Sequence, residues 1–220
     1  NYNVAIGTEA LEANTTASSN TAVGNAALRA NTTGASNVAV GYAALDANTQ
    51  GFYNVAVGQN SLGVNIDGSR STAIGYAALA AQEPTSASDV YNTAVGFHAG
   101  NAVTTGVQNT LIGGLAGDGL TTGTGNIALG YNALSSDTTG SSTVAIGKSA
   151  LAVQNLSGGA NSFSVAVGHE AGAAVTTGVQ NTIIGAEAGD SFTDADHNTA
   201  LGFRALTTDT LGNNSTAIGY

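Results

Sequence analysis

The chain repeats one short pattern of apolar and polar positions from end to end. A pentad of the form Asn-(Thr/Val)-Ala-(Val/Ile)-Gly recurs with its glycine at Gly7, Gly24, Gly41, Gly58, Gly75, Gly96, Gly113, Gly130, Gly147, Gly168, Gly185, Gly202 and Gly219. Successive glycines lie 17 residues apart, except for intervals of 21 between Gly75 and Gly96 and between Gly147 and Gly168. With that glycine as position 0, position −1 is Val, Ile or Leu in every copy, and −2 is Ala except at Leu111 and Ile183. Position −3 alternates between a β-branched apolar residue and Thr, and −4 is mostly Asn. A short β-branched segment bounded by Asn and Gly predicts a strand in every repeat.

Equivalent strands that recur at a fixed spacing and direction can stack as a parallel ladder about 4.8 Å apart. The prediction is an all-β parallel β-solenoid of 17-residue coils, running as one array of about 13 coils over residues 1–220. The two four-residue insertions fall around Gln82–Tyr91 and Gln154–Phe163, in the outer loops, where a solenoid absorbs extra chain without disturbing its ladder. A longer period of 72 residues is superposed, since residues 102–110 reappear unchanged at 174–182. The array therefore reads as a duplication of four-coil blocks.

Beyond the glycine, position +3 is Ala in all coils but the one with Ser61, and +4 is Leu or Gly. In the 17-residue coils with Leu at +4, such as Leu28 and Leu45, position +7 is polar (Asn31, Asn48). Where +4 is Gly100, Gly117, Gly172 or Gly189, position +7 is Val103, Leu120, Val175 or Phe192. This exchange predicts a single large apolar slot per coil, filled from either of two neighbouring positions, because overfilling strains a packed interior and underfilling leaves a void. Position +10 is mostly Gly after a Thr-Thr pair, which is turn chemistry.

Each coil offers few large apolar side chains, and the strand is apolar on both sides. The charge-free Ala column at −2 is expected to pack against other copies of the chain, giving a parallel homotrimer wrapped around that column. No polar cap is legible at either end, so the array is expected to be a segment of a longer fibre.

Composition adjusts this picture only in part. Charged residues make up 8% of the chain, so the polar surface is expected to be Asn, Thr and Ser. A net charge of −10 with four cations disfavours nucleic acid as a partner. The chain has no cysteine, and no apolar run approaches a membrane span, so no direct membrane insertion is expected.

The pentads at 3–7, 20–24 and 37–41, each followed by Ala at +3, resemble the head repeats of trimeric autotransporter adhesins. The longer consensus Ala-Val-Gly-Tyr-x-Ala-Leu-x-x-Asn-Thr-Thr-Gly is similar to repeats of phage tail fibres and of long bacterial surface proteins. The resemblance implies a left-handed β-roll, a homotrimer, and an extracellular place on a virion fibre or a cell surface. The function it implies is structural and adhesive, with a host cell-surface glycan or protein as the further partner.

Candidate chemistry is sparse. His98, His169 and His197 lack a second ligand at metal-binding spacing, and the acidic spot of Asp194 and Asp196 lacks the glycine-aspartate repeat of calcium-binding β-rolls. No catalytic constellation, cofactor motif or metal set is identified, and the chain is read as a non-enzyme. The residues singled out for surface contact are the aromatics at +1: Tyr42, Tyr76, Phe97, Tyr131 and Phe203. Asn14, Asn31, Asn155, Asn213 and Asn214 open glycan-acceptor sequences. Two other readings remain at this stage: an ice- or mineral-binding face built on the Thr columns, and the non-catalytic shaft of a larger enzyme such as a depolymerase.

Overall fold

The computed structural model describes residues 2–220, which form two compact units, one ending at Asn109 and one beginning at Thr110. Among the described residues there is no helix. The first unit carries β1 (Val4–Ile6), β2 (Thr21–Val23), β3 (Val38–Val40), β4 (Val55–Val57), β5 (Gly68–Ser69), β6 (Thr72–Ile74), β7 (Ser88–Asp89) and β8 (Thr93–Val95). The second carries β9 (Thr110–Ile112), β10 (Ile127–Leu129), β11 (Val144–Ile146), β12 (Val165–Val167), β13 (Thr182–Ile184), β14 (Thr199–Leu201) and β15 (Thr216–Ile218).

In each unit the pentad strands pair in parallel with equivalent positions opposite one another, as in Ala22↔Ala39↔Ala56 and Ala128↔Ala145↔Ala166. Each unit is therefore a parallel β-solenoid with one three-residue strand per coil. The small pair β5–β7 joins the first insertion, which carries β7, to the preceding coil. Hydrogen bonds between coils are not confined to the strands. Leu28 N–H donates to Ala44 O at 3.0 Å, Ala30 N–H to Asp46 O at 3.0 Å and Thr33 N–H to Thr49 O at 3.0 Å, so the turns are laddered as well.

In each unit the pentad glycines line up in a file, as the repeat predicts. Their φ values lie between +127° and +142°, a region that L side chains rarely adopt, and a Cβ on Gly58 would run into the carbonyl of Gly75. Following the glycine, positions +2 and +4 are both left-handed, even where they carry a side chain: Ala43 has φ 51° and Leu45 φ 50°. Asn48 N–H bonds back to Leu45 O at 3.2 Å, so +4 and +7 share one tight turn. Left-handed non-glycine residues are strained, and here flanking hydrogen bonds fix them: Ala43 N–H donates to Asn25 O at 3.0 Å and Leu45 N–H to Ser61 O at 3.1 Å.

The interior departs from the sequence expectation in two ways. First, the −2 column faces inward. From Ala22 to Ala200 every −2 side chain is fully buried within its own chain, while the Val, Ile and Leu of −1 are half-buried or exposed. The Ala column therefore cannot be the surface around which copies assemble. The cross-section explains the inversion: the −2 and +3 alanines occupy a narrow interior that the slot leucine already fills, and the bulkier β-branched residues are left outside.

Second, the asparagines of −4 are core residues rather than surface hydration. Asn20, Asn37, Asn54, Asn92, Asn109 and Asn126 are each 0% exposed. Asn37 shows the arrangement: its Nδ2 donates to Gly51 O at 2.8 Å, and its Oδ1 accepts from Asn54 N–H at 2.9 Å. The side chain thus ties the start of a strand to the opposite turn and to the next coil. Asn31 and Asn48 at +7 add a second inner column, with Asn48 Nδ2 donating to Asn31 Oδ1 at 2.8 Å. Burial of Asn31 removes it as a glycan acceptor. In the two longer coils the +7 residue is Gln82 or Gln154, also fully buried, and Gln82 reaches Asn65, Ser71 and Asn92 at 3.0–3.3 Å.

The slot exchange appears as steric exclusion. A Cβ on Gly117 would lie 2.7 Å from Leu111 Cδ2 and 3.0 Å from Leu120 Cδ1, and one on Gly189 would lie 2.8 Å from Phe192 Cε2. Leu111 and Ile183, the two departures from Ala at −2, occupy the room vacated at +4: a Cβ on Gly172 would lie 2.9 Å from Ile183 Cδ1.

Candidate functional site

The aromatics expected at +1 are exposed at a corner of the coil, but they form short groups rather than a continuous strip. Tyr76 and Phe97, in adjacent coils, stack with ring centroids 5.5 Å apart and planes 13° from parallel. His98 lies against both, 4.3 Å from Phe97 and 5.3 Å from Tyr76. Phe203 meets Tyr220 at 5.8 Å and the Arg204 guanidinium at 5.0 Å, and that guanidinium is held by Glu187 at 2.6 Å. Tyr42 is separated from Tyr76 by Gln59 in the column, and Tyr131 is followed by Lys148, so neither has an aromatic neighbour there. Among the described residues no three His, Cys, Asp or Glu side chains converge as metal ligands. Asp194 and Asp196 accept hydrogen bonds from Thr177 Oγ1 and Val179 N–H in the neighbouring coil.

A denser cluster lies in the first unit, at a position that sequence reading passed over. Counted back from each glycine from Gly24 onward, position −5 is a left-handed corner residue, and in three consecutive coils it is Tyr53, Arg70 and Tyr91. The Arg70 guanidinium lies 5.3 Å from the Tyr53 ring, 5.9 Å from Tyr91 and 5.4 Å from Phe52, within cation–π range of all three. Its Nε donates to Asp89 Oδ1 at 2.7 Å. That hydrogen bond raises the guanidinium pKa above its ordinary value. Phe52 and Tyr53 meet edge to face with centroids 5.4 Å apart. The signal was available, because aligning the coils backwards from their glycines places Tyr53, Arg70 and Tyr91 in one column.

Beside this cluster the first insertion raises a wall. Gln50, Phe52, Asp67, Ser69, Ser88 and Asp89 enclose an open groove of about 390 Å³. A second depression of about 250 Å³ adjoins it through Gln50 and Phe52 and extends along Thr33, Ala35, Ser36 and Tyr53. Asp67 is oriented by Thr49 Oγ1, which donates to it at 2.8 Å. Nearby, Glu83 accepts from Ile66 N–H at 3.0 Å, and partial burial pushes its carboxyl above the ordinary range, with the charge of Asp67 adding to the effect. The groove thus joins an exposed aromatic ring to several hydrogen-bond acceptors and carries more carboxylate than cation.

The Thr-Thr turns bear on the ice-binding alternative. Hydroxyls of Thr15, Thr32, Thr121, Thr176 and Thr193 each donate to a backbone carbonyl of the next coil at 2.8–3.1 Å, so they are engaged within the protein. No helix is long and apolar enough to cross a membrane among the described residues. No protein-family model, curated protein or solved structure matches the chain.

Proposed function

We propose that this chain is a non-catalytic structural and adhesive segment of an extracellular fibre, on a virion or a cell surface, assembled as a homotrimer and serving attachment to a host surface. The observation that carries the reading is the outward −1 column. Val, Ile or Leu stands there in every coil, half-buried or exposed, in files that run along the ladder of each unit with no charge among them. An apolar stripe of this kind on a lone chain is a surface awaiting a partner, and further copies of a repetitive chain supply the matching repeat. Together with the alternating Val, Ile and Thr of −3, it replaces the Ala column as the face of assembly.

The resemblance of the pentads to adhesin heads and phage fibres supports the same reading. Native mass spectrometry tests the assembly. The chain is expected as a trimer, and Val40→Lys with Val57→Lys is expected to shift it to monomer while the circular dichroism spectrum persists. A wild-type monomer across micromolar concentrations overturns the assembly. Antibody labelling that locates the protein inside the cell overturns the extracellular role.

A further inference from the structure

The duplication provides an internal control for the groove beside Phe52. Displacement by 72 residues carries Phe52, Tyr53, Asp67, Arg70, Glu83 and Asp89 onto Thr124, Gly125, Thr139, Ser142, Asn155 and Asn161. The backbone at the two places is built alike. Phe52 N–H donates to Ser69 Oγ at 3.1 Å, and Thr124 N–H donates to Ser141 Oγ at 3.0 Å. Arg70 N–H donates to Phe52 O at 3.0 Å, and Ser142 N–H donates to Thr124 O at 3.0 Å. The bridge between Ser69 and Asp89 recurs between Ser141 and Asn161. The scaffold therefore forms with small, uncharged side chains, and the aromatic and charged set of the first block is not required to build it.

We propose that the Phe52 groove binds a neutral oligosaccharide, an assignment that rests on the adhesive reading above and names its ligand class. The ring of Phe52, 38% exposed, stands between the two depressions and offers an apolar surface for the C–H face of a sugar. Asp67 and Asp89 accept hydrogen bonds from ring hydroxyls, and Gln50 can both donate and accept. Asp89 is held in place by Arg70 and Asp67 by Thr49, so two of these acceptors are fixed before a ligand arrives. Asp67, Glu83 and Asp89 outnumber Arg70, the one cation in this cluster, so sialylated, sulfated or uronic sugars are repelled. Depressions on both sides of one ring favour a ligand of at least two sugar units.

The test is a printed glycan array carrying neutral, sialylated and sulfated oligosaccharides, probed with the intact chain. Retention on neutral glycans is expected. Phe52→Thr and Asp67→Thr, which install the residues of the second block, are expected to lower apparent affinity at least tenfold with the melting temperature kept. Thr124→Ala at the duplicate position is expected to change nothing. The assignment is overturned by no retention on neutral glycans, by retention on anionic glycans only, by full retention with Phe52→Thr, or by binding to a peptide array instead. If the chain still assembles and adheres to cells after such a result, the groove assignment alone fails. Loss of adhesion as well removes the reading on which it rests.

Discussion

At the scale of single residues, the fold is governed by volume inside a narrow coil. Eight leucines at +4 hold φ between 48° and 56°, and Gly117 at the same position holds 56°, so the backbone there already has the shape that Leu occupies elsewhere. What excludes a side chain at Gly117 is Leu111 and Leu120. Gly117→Leu alone is expected to destabilise by about 1–3 kcal/mol through overpacking. Combined with Leu120→Asn and Leu111→Ala it should recover most of that loss, because the three changes recreate the arrangement around Leu45. Urea unfolding of the single, double and triple variants measures the coupling, and additive effects would contradict a shared slot. The exchange was readable from sequence because volume is conserved when residues trade places. Which side of the strand faces inward was not, since Ala on one side and Val or Ile on the other are both apolar. Size, set by the width of the coil, decides it.

At the scale of the strand and its turns, the amide columns matter as much as the apolar ones. Asn54 Nδ2 donates to Gly68 O at 2.8 Å, and its Oδ1 accepts from Ser71 N–H at 2.9 Å, inside a site with no access to water. Asn54→Val preserves β-propensity but leaves the buried Ser71 N–H without a partner, at a cost of about 1–3 kcal/mol, and removes one of two donors to Gly68 O, which keeps Asn65 Nδ2 at 2.9 Å. The expected result is a lowered urea midpoint and faster hydrogen exchange at Ser71, and an unchanged midpoint would show that the column is dispensable. Composition pointed the other way, because Asn in a chain poor in charge reads as a hydrating surface. Only the closeness of the Gly51 and Gly68 carbonyls, a property of the closed coil, reveals what these amides satisfy. The same limit applies to the candidate site. The +1 aromatics follow the glycine directly and are conspicuous, and counting back from the glycines also aligns Tyr53, Arg70 and Tyr91, but the packing of Phe52 and Asp89 around Arg70 is legible only in the folded coil.

At the scale of the whole molecule, regular stacking makes length adjustable in whole coils. Removing residues 25–41 takes out one 17-residue period and joins Gly24 to Tyr42, which leaves Asn20 facing Asn54 with the partners it needs. That deletion is expected to keep the circular dichroism spectrum and to shift the melting temperature by only a few degrees. Removing residues 27–41 instead leaves two extra residues at the laddered turn after Gly24 rather than in an outer loop, and is expected to destabilise the neighbouring coils markedly. Equal behaviour of the two would show that the columns do not set the register.

The first insertion also bears on engineering. Its outer stretch, Thr85 to Ala87, is exposed, while Gln82 and Val90 on either side are anchored in the interior. A foreign epitope spliced between those anchors would be presented outward without disturbing the stacked core, and the number of coils between several such epitopes could be chosen at will.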